Sequence, residues 1–471
     1  MDIITTNYID GDFRPSRGES DAPLYNPATE QQIGSVRLSS SNDVDAAVAS
    51  AKAAFPTFSR TSTQERADML RRLAEAVTAH AEPLAAAMRE EYGAPSPFVT
   101  FSAQRAGTVF LDMVQTVVRY PWRETIGSAE VEMLPVGVSA AITPWNSNIG
   151  FICSKLATAV AAGSPIVIKP SEMSAIQTQA LLEALHQADL PRGVLNIING
   201  DGQTCGAALA SHPDIAKISF TGSTATGRAI LRSSADTMKR VTLELGGKGA
   251  QIVLDDADLD AAAEQALASG FMNSGQACIA GTRILIPSRL KKAFEDKLVA
   301  ALLRFPVGPT SDPEARIGPM VSARQWDRVQ SYIALGMEEG ARLFAGGQGR
   351  PEHLDRGWFV RPTLFSDVDN SMRIAREEIF GPVLCILSYD NEADAIRIAN
   401  DTSYGLQNYV LAGDGERARQ VARQLDSGRV VINGAPHEPL APFGGFRQSG
   451  IGREYGAFGL TAFLEPRAIL T

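Results

Sequence analysis

Hydrophobic and polar positions along the chain change period twice, and each change predicts a different kind of element. From about Ser41 to Thr116 apolar residues recur at helical spacing, through AAVASAKAAF and then ERADMLRRLAEAVTAHAEPLAAAMREEYG, which predicts helices forming a layer packed on a sheet. Ahead of them NYIDGDFRP predicts a short hairpin, since an Asp-Gly pair between apolar residues suits a tight turn. From Gly137 onward short strand-like runs alternate with helical stretches: GVSAAIT, SPIVIKP, VLNIING, AKISFTG and RVTLELG. Strands joined by helices imply a parallel sheet, here Rossmann-like. A second series begins at QIVLDD and continues through RILIP, a helix over Leu290 to Arg304, FVRPTLF, VLCILSY, a helix over Asp394 to Asn400, NYVLAG and RVVIN. It is long enough for its own core, so a domain boundary is expected near Gly247. Between the helical layer and the first βα strand, PWRETIGSAEVEMLPVG alternates apolar residues at Val131, Met133 and Leu134 and predicts a hairpin. The fold class is α/β.

Composition narrows the picture only slightly. The chain has 471 residues, 44% hydrophobic and 21% charged, as expected of globular material. Its net charge of −9, with the acids scattered, argues against nucleic acid as a partner. The N-terminus MDIITTNYIDGDFRPS lacks a basic region followed by an apolar core, and no run is long enough to span a membrane, so a soluble, cytoplasmic protein is expected. Cys153, Cys205 and Cys385 lack metal-like spacing and read as reduced structural thiols, with no metal site expected.

The fourth cysteine, Cys278, is the first candidate for chemistry. It follows a Gly-Gln turn within FMNSGQACIAGTR. A thiol there is either a small buried hydrophobe or a nucleophile whose thiolate attacks carbonyl carbon. Its company favours the second reading. Glu244, in VTLELGGKG, stands where a strand-like run ends in glycines, the edge of a parallel sheet at which catalytic groups gather. In AAITPWNSN a strand-like run stops at Pro144 and presents Asn146, whose amide can donate to an oxyanion. Nucleophile, base and oxyanion donor suffice to make and hydrolyse an acyl intermediate. For a dinucleotide the usual glycine signature is missing. The closest match, Gly413-Asp-Gly415-Glu-Arg-Ala418, lies far from the first sheet, lacks an acidic residue about 20 positions on, and reads as a turn.

Seven segments in order, PWN (Pro144–Asn146), IKPSE (Ile168–Glu172), FTGSTATG (Phe220–Gly227), LELGGK (Leu243–Lys248), GQAC (Gly275–Cys278), EEIFGPV (Glu377–Val383) and PFGGFRQSGIGRE (Pro442–Glu454), resemble the NAD(P)-dependent aldehyde dehydrogenase superfamily over nearly the whole chain. The resemblance implies a cofactor-binding domain of residues 1–118 and 138–246, a catalytic domain of 247–443, and bridging elements at 119–137 and 459–471. The last, with TAFLEPRAIL, would extend to another subunit to build a homodimer or homotetramer. An isolated hairpin is marginal in water, which gives it reason to seek a partner.

The resemblance also implies roles. Cys278 would attack the aldehyde, Asn146 and the Cys278 amide would hold the oxyanion, and Glu244 would activate water against the thioester. Lys155 would help relay protons, although a helix lysine is equally a surface charge. Ile142, Thr143, Pro144, Trp145 and Leu245 would line the cofactor. Gly222 and Ser223 would meet its pyrophosphate at a helix N-terminus, where a routine cap is the other reading. Glu378 would bind the nicotinamide ribose, with Phe380 beside it. Glu172 would accept from adenosine ribose hydroxyls and repel a 2′-phosphate, favouring NAD, whereas Lys169 would welcome that phosphate, so NADP stays open. A glutamate at Glu244 favours the acid-forming branch over CoA-acylating relatives. Alternatives on the same fold are a cofactor-independent thiol esterase and a non-catalytic binding protein.

Two positions depart from the family. Ser147 and Asn148 replace the aromatic and proline that often follow PWN, and Gly150 and Ser154 continue the small-residue theme. These either widen the pocket for a bulky or ring-containing aldehyde or bind a polar one, unless Phe151, Met272, Tyr409 or Phe443 refill the space.

Overall fold

The computed structural model describes residues 2–470 and contains two large sheets. In the first, strands Ser139–Ile142, Ile166–Lys169, Leu195–Ile197, Lys217–Thr221 and Arg240–Glu244 are mutually parallel, in the spatial order 240, 217, 139, 166, 195. All five correspond to the strand-like runs of the sequence. Antiparallel strands extend both edges. The hairpin Thr6–Ile9 with Asp12–Pro15 pairs onto Leu195–Ile197, and Gly450–Ile451 pairs onto Leu243 and Glu244. The hairpin turns at Asp10 and Gly11, both at positive φ (58° and 78°), as a two-residue connection requires.

The second sheet runs Arg342–Ala345, Thr363–Ser366, Val383–Tyr389, Gly281–Pro287, Gly249–Val253, Gln407–Leu411, Arg429–Ile432, and only the first of these is antiparallel. The central strands are buried along their whole length, and the polar residues they carry are bonded inside, Arg283 Nε donating to Lys248 O and Asn408 Oδ1 accepting from Ala250 N. The first sheet's last parallel strand ends at Glu244 and the second sheet's next strand in the chain starts at Gly249, so four residues join them.

The helical region does not form one layer. Strand residues alternate between faces: Ile166 and Ile168 pack with Leu70, Leu73, Phe110 and Leu156, whereas Val167 packs with Val44 and Val48. Helix Ser41–Phe58 therefore covers one face, and Thr63–Ala79 with Ser96–Arg119 covers the other. Periodicity alone assigns a helix its apolar stripe but not the face of the sheet that receives it. Helix Asn148–Ala162 is buried almost throughout, and each of Ile152, Leu156 and Val160 contributes about 1.5–3 kcal/mol by leaving water. Buried Arg66 completes this helix's C-terminus, its Nη1 donating to Ala162 O at 3.1 Å.

A third, antiparallel sheet joins Arg123–Ile126, Ala129–Pro135 and Leu464–Leu470, with Leu464 opposite Pro135 and Leu470 opposite Ala129. The hairpin and the C-terminal strand thus meet within one chain. Ile126 and Leu470 remain exposed. Among the elements not anticipated are a small sheet of Asp2–Ile4, Asp21–Asn26 and Gln31–Arg37, the strand Arg342–Ala345, and helix Ala323–Glu338. The strands are short or half-exposed and carry little apolar alternation. Among the described residues no helix is long and apolar enough to cross a membrane.

Candidate active site

The carboxyl ends of the first sheet face the second unit across a cavity of about 520 Å³. From the first sheet come Pro144, Trp145 and Asn146 after Ser139–Ile142, Gly222 and Ser223 after Lys217–Thr221, and Glu244 with Leu245 at the end of Arg240–Glu244. The opposite wall supplies Cys278, Gln325, Arg328, Tyr332, Glu378 and Phe380. This is where an α/β sheet gathers ligands.

The cysteine loop is held under strain. Asn273, Ser274 and Gly275 are left-handed in succession (φ 52°, 60° and 75°), a conformation that costs about 1–3 kcal/mol for each non-glycine residue. Side chains fix it in place. Asn273 Nδ2 donates to Asn146 O at 2.8 Å, Ser274 Oγ accepts from Gly318 N at 2.8 Å, and Gln276 bonds Pro319 O and Val321 N. A Cβ on Gly275 would sit 2.3 Å from both the carbonyl carbon and the oxygen of Gly381. Gly275→Ala is therefore expected to destabilise the protein by at least about 2 kcal/mol in denaturant unfolding and to lower turnover by displacing Cys278.

Cys278 borders the cavity with a thiol pushed up to about 12, mainly by burial and further by the charges of Glu378 and Glu244. Its own amide and that of Ile279 approach the sulfur and pull the other way. Asn146 Nδ2 spends one hydrogen on Gln276 O at 2.9 Å, which fixes the amide and leaves the other N–H to donate. Glu244 is buried, neither carboxylate oxygen has a hydrogen-bond partner, and burial holds its pKa well above the ordinary carboxylate range. Glu454 raises it further, while Lys155 and Arg453 oppose the shift.

Lys155 is not a surface lysine. It is buried, in direct contact with Glu454 Oε1, and donates to Ser219 Oγ at 2.8 Å; Ser219 Oγ donates to the same Glu454 oxygen at 3.1 Å. Glu454 ends the GIGRE segment, three residues past the two-residue strand Gly450–Ile451 and in an isolated antiparallel bridge with Phe443, and was not singled out from sequence because no longer strand marks it.

The cofactor candidates separate into two groups. Pro144, Trp145, Gly222, Ser223, Leu245, Glu378 and Phe380 line the cavity. Ile142, Thr143, Lys169 and Glu172 lie outside that lining, at the ends of the two adjoining strands, with Thr143 N bonded to Lys169 O at 3.0 Å. Half-buried Glu378 has its pKa raised to about 7 by desolvation, accepts Gly247 N at 3.0 Å, and fits because a Cβ on Gly246 would lie 2.6 Å from its Oε2. Phe380, at φ 65°, meets Trp145 edge to face at 5.4 Å and is fixed by Gln325 Nε2 donating to its carbonyl at 2.8 Å. Ser223 caps helix Thr224–Ala235 by accepting Thr226 N at 3.2 Å, so the cap reading is realised, and the helix N-terminus still opens on the cavity. Lys169 is turned inward, donating to Gly200 O at 2.6 Å and to Glu172 at 3.5 Å. Gln325 and Arg328, from the unanticipated helix, complete the wall. No spacing signal marked them.

Gly415–Ala422 does follow a strand, but Asp414 caps it, accepting from Glu416 N and Arg417 N, and an anion there would meet that carboxylate. Of the residues departing from the family pattern, Asn148 points away from the cavity and donates to Thr178 Oγ1 at 3.0 Å. It is not a substrate ligand. Phe151 lines the cavity, whereas Met272 lines a different one of about 420 Å³.

The profile of the aldehyde dehydrogenase family matches residues 13–469. The chain is 43% identical over 465 residues to 3-succinoylsemialdehyde-pyridine dehydrogenase of a Pseudomonas species, covering 98% of each. Among solved structures it resembles a mutant aldehyde dehydrogenase C of Pseudomonas syringae complexed with NAD+ and octanal, with TM-score 0.97, 41% identity, and 99% of this chain and 96% of that one covered. An aldehyde dehydrogenase of Mycobacterium tuberculosis complexed with NAD+ gives TM-score 0.96 at 39% identity, covering 100% of this chain and 98% of that one.

Proposed function

The chain belongs to the aldehyde dehydrogenase family, and from that premise we propose that it oxidises an aldehyde to the carboxylic acid with NAD+, using Cys278 as nucleophile and Glu244 as base. The observation that carries this reading is the convergence of Cys278, the free N–H of Asn146 and an unpartnered buried Glu244 on one cavity. The Cys278 thiol gives its proton to solvent water and its sulfur attacks the carbonyl carbon, giving a tetrahedral thiohemiacetal. The second N–H of Asn146 and the Cys278 amide meet the oxyanion, each donor contributing about 3 kcal/mol. NAD+, when bound, supplies the hydride acceptor. Pro144, Trp145, Leu245 and Phe380 form its walls, Gly222 and Ser223 the pyrophosphate end, and Glu378 the nicotinamide ribose end. Glu172 serves the adenosine ribose. Because Lys169 is already committed to Gly200 O, it offers little to a 2′-phosphate, which favours NAD over NADP.

The oxidised adduct is a thioester on Cys278. Glu244 takes a proton from water as the water oxygen attacks, and the sulfur leaves as thiolate. Lys155 and Glu454 act on this step through their charges. Replacing Lys155 by Met removes the cation that holds Glu244 down, so the rise of turnover with pH is expected to move to higher pH. Glu454→Gln removes an anion that pushes Glu244 up, so the rise moves lower. Parallel kcat–pH profiles check this, and shifts in the same direction would remove both residues from that role.

The two sheets divide the work at residues 246–247, with cofactor binding in the first unit and the cysteine in the second. The exposed edges of the third sheet suit a second copy, giving a homodimer or homotetramer, in the cytoplasm. The direct test is NADH formation with NAD and NADP against aliphatic, aromatic and semialdehyde substrates.

A further inference from the structure

A group of side chains outside the cofactor cavity has no part in the chemistry above. Arg429 begins the edge strand Arg429–Ile432, whose register sets it opposite Gln407 and sets Val431 opposite Tyr409. Gln407, Tyr409 and Arg429 therefore project from the same face of the sheet. That face points to the nucleophile, for Tyr409 OH donates at 2.7 Å to the carbonyl of Ile279, the residue after Cys278. The guanidinium of Arg429 lies 5.5 Å from the centre of the Phe443 ring and donates through Nη2 to His437 Nδ1 at 3.1 Å. Tyr455 closes the group, 5.5 Å from Phe443 and 5.7 Å from His437.

Arg429 is half-buried, yet among the described residues no carboxylate lies within ion-pair distance of it, whereas Arg417 and Arg447, on either side in the sequence, each hold one. A guanidinium desolvated against aromatic rings without a counter-ion is costly unless something else supplies the charge. Burial accordingly pulls its pKa down, and Cys278 is among the groups whose charge it feels. His437 stands in an exposed loop, where partial desolvation and the neighbouring guanidinium push it down to about 4, so near neutral pH its Nδ1 accepts from Arg429 and its proton sits on Nε2. The group offers donors and rings, and none of its members lines the cofactor cavity.

We infer that Arg429, with His437, receives a carboxylate at the far end of the aldehyde, so that the enzyme's substrates are ω-carboxy aldehydes, the semialdehydes of dicarboxylic acids. This rests on the aldehyde-oxidising reading. A guanidinium pairs with a carboxylate by charge-assisted hydrogen bonds, and Phe443 and Tyr455 cover the intervening methylenes. The pairing acts on binding, not on the reacting carbon.

The test compares succinic, glutaric and adipic semialdehydes with butanal, pentanal and hexanal, in the wild type, Arg429→Met and Arg429→Lys. The wild type is expected to prefer the ω-carboxy member of each pair. Arg429→Met is expected to raise KM for the semialdehydes about tenfold or more, with kcat and the alkanal KM nearly unchanged. Arg429→Lys keeps the charge and falls between. An unchanged ratio of semialdehyde to alkanal kcat/KM in Arg429→Met overturns the inference, as does a wild type that oxidises alkanals but no ω-carboxy partner. Loss of oligomeric assembly in Arg429→Met with that ratio intact also overturns it, giving the arginine to a subunit contact. A wild type that oxidises no aldehyde at all overturns the underlying dehydrogenase reading as well.

Discussion

Replacing Cys278 by Ala is expected to lower aldehyde oxidation by on the order of 10⁴-fold or more while leaving NAD affinity within about twofold of the wild type. No other residue lining the cavity carries a thiol or an amine to bond carbonyl carbon. The remaining cysteines are buried in the cores, and the lysine bordering this region, Lys155, is already engaged by Glu454 and Ser219. The substitution removes one sulfur from a loop whose conformation rests on Asn273, Ser274 and Gln276, so the fold is expected to survive it. Steady-state NADH formation and cofactor titration by fluorescence check the two halves. Residual oxidation above about 1% of the wild-type rate would sink the nucleophile assignment. In the wild type without cofactor, alkylation of Cys278 by iodoacetamide is expected to accelerate about tenfold per pH unit from pH 7 to 10, since a thiol at about 12 is almost wholly protonated across that window.

Glu244→Gln is expected to release one equivalent of NADH rapidly and then turn over about 10²- to 10⁴-fold more slowly, because the thioester forms but water is no longer deprotonated. Rapid-mix absorbance resolves the two phases. Absence of the burst, with aldehyde and cofactor still bound, would place Glu244 before hydride transfer instead. The wild-type hydrolytic step should accelerate as pH rises, since the base works only when ionised and its pKa lies well above the ordinary carboxylate range. Stability has the opposite sign. The folded state binds the Glu244 proton more tightly than the unfolded chain, so its contribution is fully present below the unfolded pKa of about 4.3 and is lost as pH rises through the raised folded value. Glu244→Gln lacks that loss and is expected to gain on the wild type at alkaline pH in thermal unfolding, which separates a catalytic defect from a folding one.

How much of this was legible beforehand differs element by element. The five parallel strands from Ser139 to Glu244 were readable because short apolar runs alternated with helical ones, and βα connections admit few arrangements. Helix Ala323–Glu338 was not, although it is amphipathic, because a motif reading passes over a stretch without punctuation. Its Gln325 and Arg328 were missed with it, and so was the fixing of Phe380. Cys278 and Glu244 were found through the glycines beside them, since a backbone that must approach closely leaves a sequence trace. Glu454 left none, being one acidic residue in a basic segment until Lys155 is set against it.

What the sequence by itself determined is therefore what local rules and motifs encode: the α/β class, the strand series, the cysteine loop and the family. Only the tertiary structure decided which groups share an environment. It split the helical region between two faces of one sheet, because period-2 alternation sends Ile166 and Val167 to opposite sides. It turned Lys169 inward, buried Lys155 beside Glu454, and, among the described residues, left Glu244 without a hydrogen-bond partner and Arg429 without a carboxylate in ion-pair distance. Charge and desolvation act through space over a few ångströms, so groups hundreds of residues apart set one another's protonation, and no linear pattern records that distance.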